Sequence, residues 1–166
     1  MSFEPASAKL TIASIDKKLE VSAQYNPKEL QVDKTIPWQK PSQANQANAK
    51  GLALEFTGAE SRTMTVELLF DGYEKGGKTP KGTVTKLISD LEKLASPVDA
   101  SSKDENLRRP HRCLVSWGSG GAPSFRCVIE SISTKYTMFS SEGVPLRATC
   151  TVKLKEADVV SMAKAK

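Results

Sequence analysis

Apolar residues fall at every second position over most of the chain. Leu10 and Ile12, then Leu19, Val21, Ala23 and Tyr25, alternate with Lys9, Thr11, Glu20, Ser22 and Gln24. A period of two turns one side of an extended strand toward a core and the other toward water. Two strands therefore open the chain, joined as a hairpin through Ser14 to Lys18. Asn26-Pro27 ends this ladder, since proline offers no N–H and asparagine can bond its own backbone in a turn. A short segment from Val32 to Trp38 follows, with Pro37 marking its end or an exposed edge. Leu52, Leu54 and Phe56 restart the alternation, and Met64, Val66, Leu68 and Phe70 continue it on the next strand, predicted to run antiparallel to the first.

Between Gly82 and Pro97 the period changes. Val84, Leu87, Ile88, Leu91, Leu94 and Ala95 form one stripe of an amphipathic helix, with Thr83 as its expected N-cap and Pro97 as its stop. Beyond the polar stretch Ser101 to Asn106, Cys113, Val115 and Trp117 predict a strand that runs through Gly118-Ser119-Gly120-Gly121 into another, starting near Phe125. In that strand Cys127 and Ile129 occupy one phase and Ile132, Tyr136 and Met138 the other, so a bulge is expected near Glu130. Leu146, Ala148, Cys150, Val152 and Leu154 give the cleanest alternation, and the last ten residues read as frayed. Seven or eight strands, one helix and no βαβ rhythm predict a mainly β protein, an antiparallel sandwich or barrel with the helix across one end or face. Residues 1–166 read as a single domain with an ordered core over about 8–156, and the Thr, Ser, Lys, Arg and Glu of the polar faces suit a broad wet surface, including the wall of a pore.

Composition adds bounds. With 166 residues, 39% hydrophobic and 26% charged, the chain suffices for one globular domain with a core. It contains no run of about 18 apolar residues, and MSFEPASAKL lacks a basic segment leading into an apolar one. The expectation is a soluble protein, cytoplasmic at assembly, without membrane insertion. Twenty-four Lys and Arg against 19 Asp and Glu give a net charge of +5, but the signs are interspersed, a weak pointer to nucleic acid. The stretch QKPSQANQANAKG, from Gln39 to Gly51, is too polar to order itself alone. It is either a connector or an arm that becomes ordered against a partner. Trp38, Gln43, Asn45, Gln46 and Asn48 are the expected partner-contact residues, although Trp38 could equally cap the core.

Candidate chemistry is sparse. Cys113, Cys127 and Cys150 are far apart without a CxxC and read as buried thiols. His111 is the sole histidine and follows Arg108-Arg109-Pro110 where a strand begins, so a structural role is expected. Residues Gly72 to Thr79 satisfy GxxxxGK[ST] between a strand and a helix, the context of a phosphate-binding loop. The alternating strands around it and Pro80 after it argue instead for a Gly- and Lys-rich turn. There is no GxSxG elbow, and the carboxylates are scattered. The expectation is no enzyme, no cofactor and no metal. A monomeric basic β-barrel binding nucleic acid or another ligand is the alternative, weakened because the aromatics read as mostly in core phase.

Four stretches carry a resemblance. They are Tyr25-Asn26-Pro27 with Trp38 following; Val66-Glu67-Leu68-Leu69-Phe70-Asp71-Gly72-Tyr73; Arg109-Pro110 leading through Val115 to Trp117-Gly118; and Tyr136 to Phe139 followed by Glu142-Gly143-Val144-Pro145-Leu146-Arg147-Ala148. In order and spacing they resemble the N-terminal domain of contractile injection system tube proteins, the tube adaptor or initiator class related to phage tail baseplate components. The resemblance covers roughly residues 8–156. It implies a phage tail-tube-like fold and a structural, self-assembling subunit. That subunit would form a hexameric ring between the inner tube and the baseplate hub or spike proteins of a phage tail-like particle. It also implies strands that continue from copy to copy around a channel, and here no LysM-like domain after the last strand. Gly143 is expected to take a positive φ, with Pro145 limiting pairing where the last strand begins.

Overall fold

The structure, a computed structural model, describes residues 8–41, 51–73 and 82–163. Its elements are β1 (Leu10–Ser14), β2 (Glu20–Ser22), β3 (Leu30–Thr35), β4 (Trp38–Gln39), β5 (Glu55–Phe56), β6 (Ser61–Asp71), α1 (Thr83–Leu94), a 3-10 turn at Glu105–Leu107, β7 (Cys113–Trp117), β8 (Phe125–Phe139) and β9 (Pro145–Glu156). Seven strands make one antiparallel sheet in the order β2-β1-β7-β8-β9-β6-β3, and β4 and β5 pair in a separate ribbon. The mainly β class, the antiparallel pairing and the helix across one face are as the alternation predicts. Among the described residues the strands do not close into a barrel; the sheet is an open layer, sandwich-like with α1.

One side of the sheet is the core. Register partners share a face, so Met64 and Leu154 align with Ile129, Val66 and Val152 with Ile132, and Phe70 and Ala148 with Tyr136. Val84, Ile88, Leu91 and Leu94 of α1 are buried against this face. The expected bulge is present as a register shift between Ile129 and Ser131. It lets both Ile129 and Ile132 face inward, at the cost of one unpaired residue. Further shifts flanking Met138 place that residue opposite Arg147, on the other side from Tyr136, which the simple alternation does not anticipate. At the hairpin tip Gly143 has φ 80 and Ser140 N–H donates to Val144 O at 2.9 Å, the positive-φ turn expected there.

Three expectations are corrected. β5 does not pair with β6, because both edges of β6 are taken, one by β9 and the other by β3 through Leu30↔Val66 to Thr35↔Ser61. The helix N-cap is Gly82, at φ 89, rather than Thr83; its carbonyl accepts the Lys86 N–H at 2.9 Å. Asn26 does not bond its own backbone: Oδ1 accepts Leu10 N–H at 3.0 Å and Nδ2 donates to Ala8 O at 2.7 Å, holding the turn against β1. Gln24 makes a similar bridge at the far side of the sheet. Its Nε2 donates to Asp71 O at 2.6 Å and its Oε1 accepts Asp71 N–H at 2.8 Å, so the end of β2 meets the end of β6.

A buried ion pair fixes the β1–β2 turn. Asp16 accepts from Arg109 Nη1 and Nη2 at 3.0 and 3.1 Å and from Arg112 N–H at 2.8 Å. Ser14 Oγ accepts the Asp16 and Lys17 N–H groups, both at 3.1 Å, and lies 2.7 Å from His111 Nδ1. With both backbone N–H groups pointing at the hydroxyl, its own proton goes to the imidazole. His111 thus joins the segment before β7 to the β1–β2 turn. The Arg109 guanidinium holds the Asp16 carboxyl down at about 2, and burial lowers the His111 pKa. Both folded values lie below the unfolded ones, so the unfolded chain takes up each proton first and stability falls with pH. We expect urea unfolding to show stability lost below pH 6.5 as His111 titrates and again between about 4 and about 2 as Asp16 titrates. Asp16→Asn should shrink the second phase, to which Asp99 and Glu156 also contribute, and cost about 3 kcal/mol at neutral pH, because Arg109 is left buried without its counter-charge.

Candidate assembly surface

β8 is 15 residues long and β9 is 12, but β7 pairs with β8 only over Phe125 to Cys127. Among the described residues, no strand pairs with that side of β8 beyond Cys127. The opposite boundary of the sheet is β3, whose outer side is also unpaired. From β8 through β9 and β6 to β3 each neighbour is antiparallel, so these two outer strands point in opposite directions. Copies set side by side with β3 of one against β8 of the next therefore continue an antiparallel sheet. Such edges are templates for pairing, and Asp33 and Lys34 on β3 supply the charge that discourages indiscriminate contacts.

The face of this four-stranded unit away from α1 is hydrophilic. Ser131 and Lys153 lie across from Thr65 and Gln31, Ser133 and Thr151 across from Glu67, and Lys135 and Thr149 across from Leu69. Both signs of charge are present, and Arg147 donates to Asp71 Oδ2 at 3.1 Å. Beside it a cleft of about 310 Å³ is lined in part by Tyr25, Glu29, Glu67 and Leu69.

The ribbon of β4 and β5 is the second feature. Pro37 separates β3 from β4, and the ribbon holds together through Trp38↔Phe56 and Gln39↔Glu55. The two rings meet edge to face with centroids 5.7 Å apart, yet Trp38 is 56% and Phe56 54% exposed. Ile36, Leu52 and Leu54 are exposed as well. Trp38 therefore does not cap the core, and the alternation at Leu52 to Phe56 marks an apolar surface instead of a core strand. Gln43, Asn45, Gln46 and Asn48 lie outside the described residues, as does most of the Gly72 to Thr79 stretch. A second exposed ring pair, Tyr136 and Phe139 with centroids 6.1 Å apart, sits at the end of β8. The reading of the aromatics as core residues is thus overturned: Tyr25, Trp38, Phe56, Tyr73, Tyr136 and Phe139 are exposed, and only Phe70 and Phe125 are buried among the described residues. Nothing in a period-two pattern distinguishes an apolar residue that meets its own core from one that meets another molecule.

The three cysteines are buried free thiols. Among the described residues no cluster of three or more His, Cys, Asp or Glu is placed to hold a metal ion. No helix among them is long and apolar enough to cross a membrane. Residues 7–165 match the family described as contractile injection system tube protein. The chain belongs to that family. No curated protein matches the sequence. For this tube protein the family supports a structural role in an injection particle, and among the described residues its sheet buries one face and wets the other.

If the ribbon of this tube protein is surface rather than core, the double variant Trp38→Ala/Phe56→Ala should lower the stability of the isolated chain by less than about 1 kcal/mol. Phe70→Ala should cost about 3 kcal/mol or more. Urea midpoints of the three proteins decide it.

Proposed function

We propose that this tube protein forms a hexameric ring around a central channel and connects the inner tube to the baseplate hub of its particle, in a structural and non-catalytic role. The observation that carries the reading is the pair of open, oppositely directed edges on β8 and β3. They are different surfaces, so a contact between them is head to tail, and head-to-tail contacts close into rings when the rotation permits. The serine, threonine and lysine face then lines the channel, while α1 and the core lie outside it. The Trp38–Phe56 ribbon, with Gln43, Asn45, Gln46 and Asn48 in the segment it leads into, reaches an adjacent copy or an adjacent layer. Assembly takes place in the cytoplasm, with other tube, hub and spike proteins as partners and no need for nucleic acid or membrane insertion.

Native mass spectrometry of the purified chain, alone and mixed with neighbouring tube and hub proteins, tests this. Six-copy rings or co-complexes are expected, and Trp38→Ala or deletion of residues 43–49 should reduce them at least tenfold while leaving circular dichroism unchanged. A strict monomer that ignores tube proteins and binds oligonucleotide with a steep salt dependence would favour the basic-barrel alternative.

A further inference from the structure

Cys113 and Cys127 stand directly opposite each other in the β7–β8 register. Both side chains lie on the core face and neither is exposed. Opposed residues of an antiparallel pair have Cα atoms about 4.5–5.5 Å apart, inside the about 4.4–6.8 Å that a disulfide bridges. Burial raises the Cys127 thiol, and charge repulsion from Cys113 raises it further. Cys150 belongs elsewhere: it is on β9, with its sulfur 3.5 Å from the Thr134 hydroxyl of β8.

We propose that Cys113 and Cys127 form a latent cross-strand disulfide site, closed by a two-electron oxidant when β7 separates from β8. In the step two S–H bonds break and one S–S bond forms. The two protons and two electrons pass to the oxidant, a diazene becoming a hydrazine or a small disulfide becoming two thiols. In the closed sheet the thiols are inert, because burial holds both at about 12 and the thiolate is the reacting species. Opening is local. β7 grips β8 only from Cys113 to Val115, whereas the β8–β9 ladder runs from Cys127 to Phe139, so the short ladder releases at lower cost than the whole fold. Once formed, the bond ties β7 to β8 at the point where the free edge of β8 begins.

The three cysteines fall on different tryptic peptides, 113–126, 127–135 and 148–153, which makes the test direct. The full reduced chain is treated with diamide, with and without urea below the unfolding midpoint, then alkylated, digested and mapped by non-reducing mass spectrometry. The expected product is a single link between peptides 113–126 and 127–135, with 148–153 fully alkylated. It should form at least tenfold faster in the urea and raise the unfolding midpoint until dithiothreitol reverses it. Cys150→Ser, which keeps both partners, should give the same link. Links to peptide 148–153 in comparable yield, intermolecular dimers as the main product, or both thiols still alkylated after the urea step would overturn the proposal.

Discussion

The register of β6, β9 and β8 is the constraint on which the structure depends. Across these three strands every apolar residue of the core set must arrive on the α1 side together, and a slip of one residue on any of them would carry its whole set into water. Met64, Leu154 and Ile129 stand in one row, and Phe70, Ala148 and Tyr136 in another. The shift beside Glu130 keeps β8 in step over a length that a regular strand could not manage, because its two halves have opposite phase in the sequence. Among the described residues one helix covers the sheet, and it covers one side. The other side and both edges remain to be used, and the sequence makes the first hydrophilic and leaves the second unpaired.

Two polar devices hold the ends of this arrangement. Asp16, with Arg109 and Arg112, ties the β1–β2 turn to the segment before β7, far from the hairpin tip. At the same strand ends, toward the β6 side of the sheet, Arg62 forks onto Glu156 at 2.7 and 3.0 Å and stacks over Phe125, joining β6, β8 and β9. The two differ in burial: Arg62 stays within reach of water, whereas breaking the Arg109–Asp16 pair would leave a buried guanidinium without its counter-charge.

Much of this was legible in the sequence, for a physical reason. Where a strand buries one face in its own chain, period and burial coincide, and β1, β6, β7 and β9 with the stripe of α1 follow directly from the spacing of Leu, Val, Ile and Cys. The turn at Gly143 was equally readable, since glycine accepts the positive φ that a tight connection between two strands requires. The failures share a cause. Leu52, Leu54, Phe56 and Trp38 have the pattern of core residues and are exposed, because apolar spacing alone does not record whether a residue meets its own core. Pairing partners were also hidden: that β3 takes the edge of β6 is a fact about distant segments, and no local signal carries it. Gln24 looked like an ordinary polar position and Asn26 like a self-bonded turn residue, yet both amides bond the backbone of distant segments.

The Gln24 bridge has a mechanical meaning. A seam made of paired backbones yields only by unzipping, but one amide lets go of Asp71 by turning about its own χ angles. The bend of the sheet can thus relax or tighten for the cost of a rotamer change, with every strand still paired. A joint of that kind gives play where a seam of paired backbones would give none.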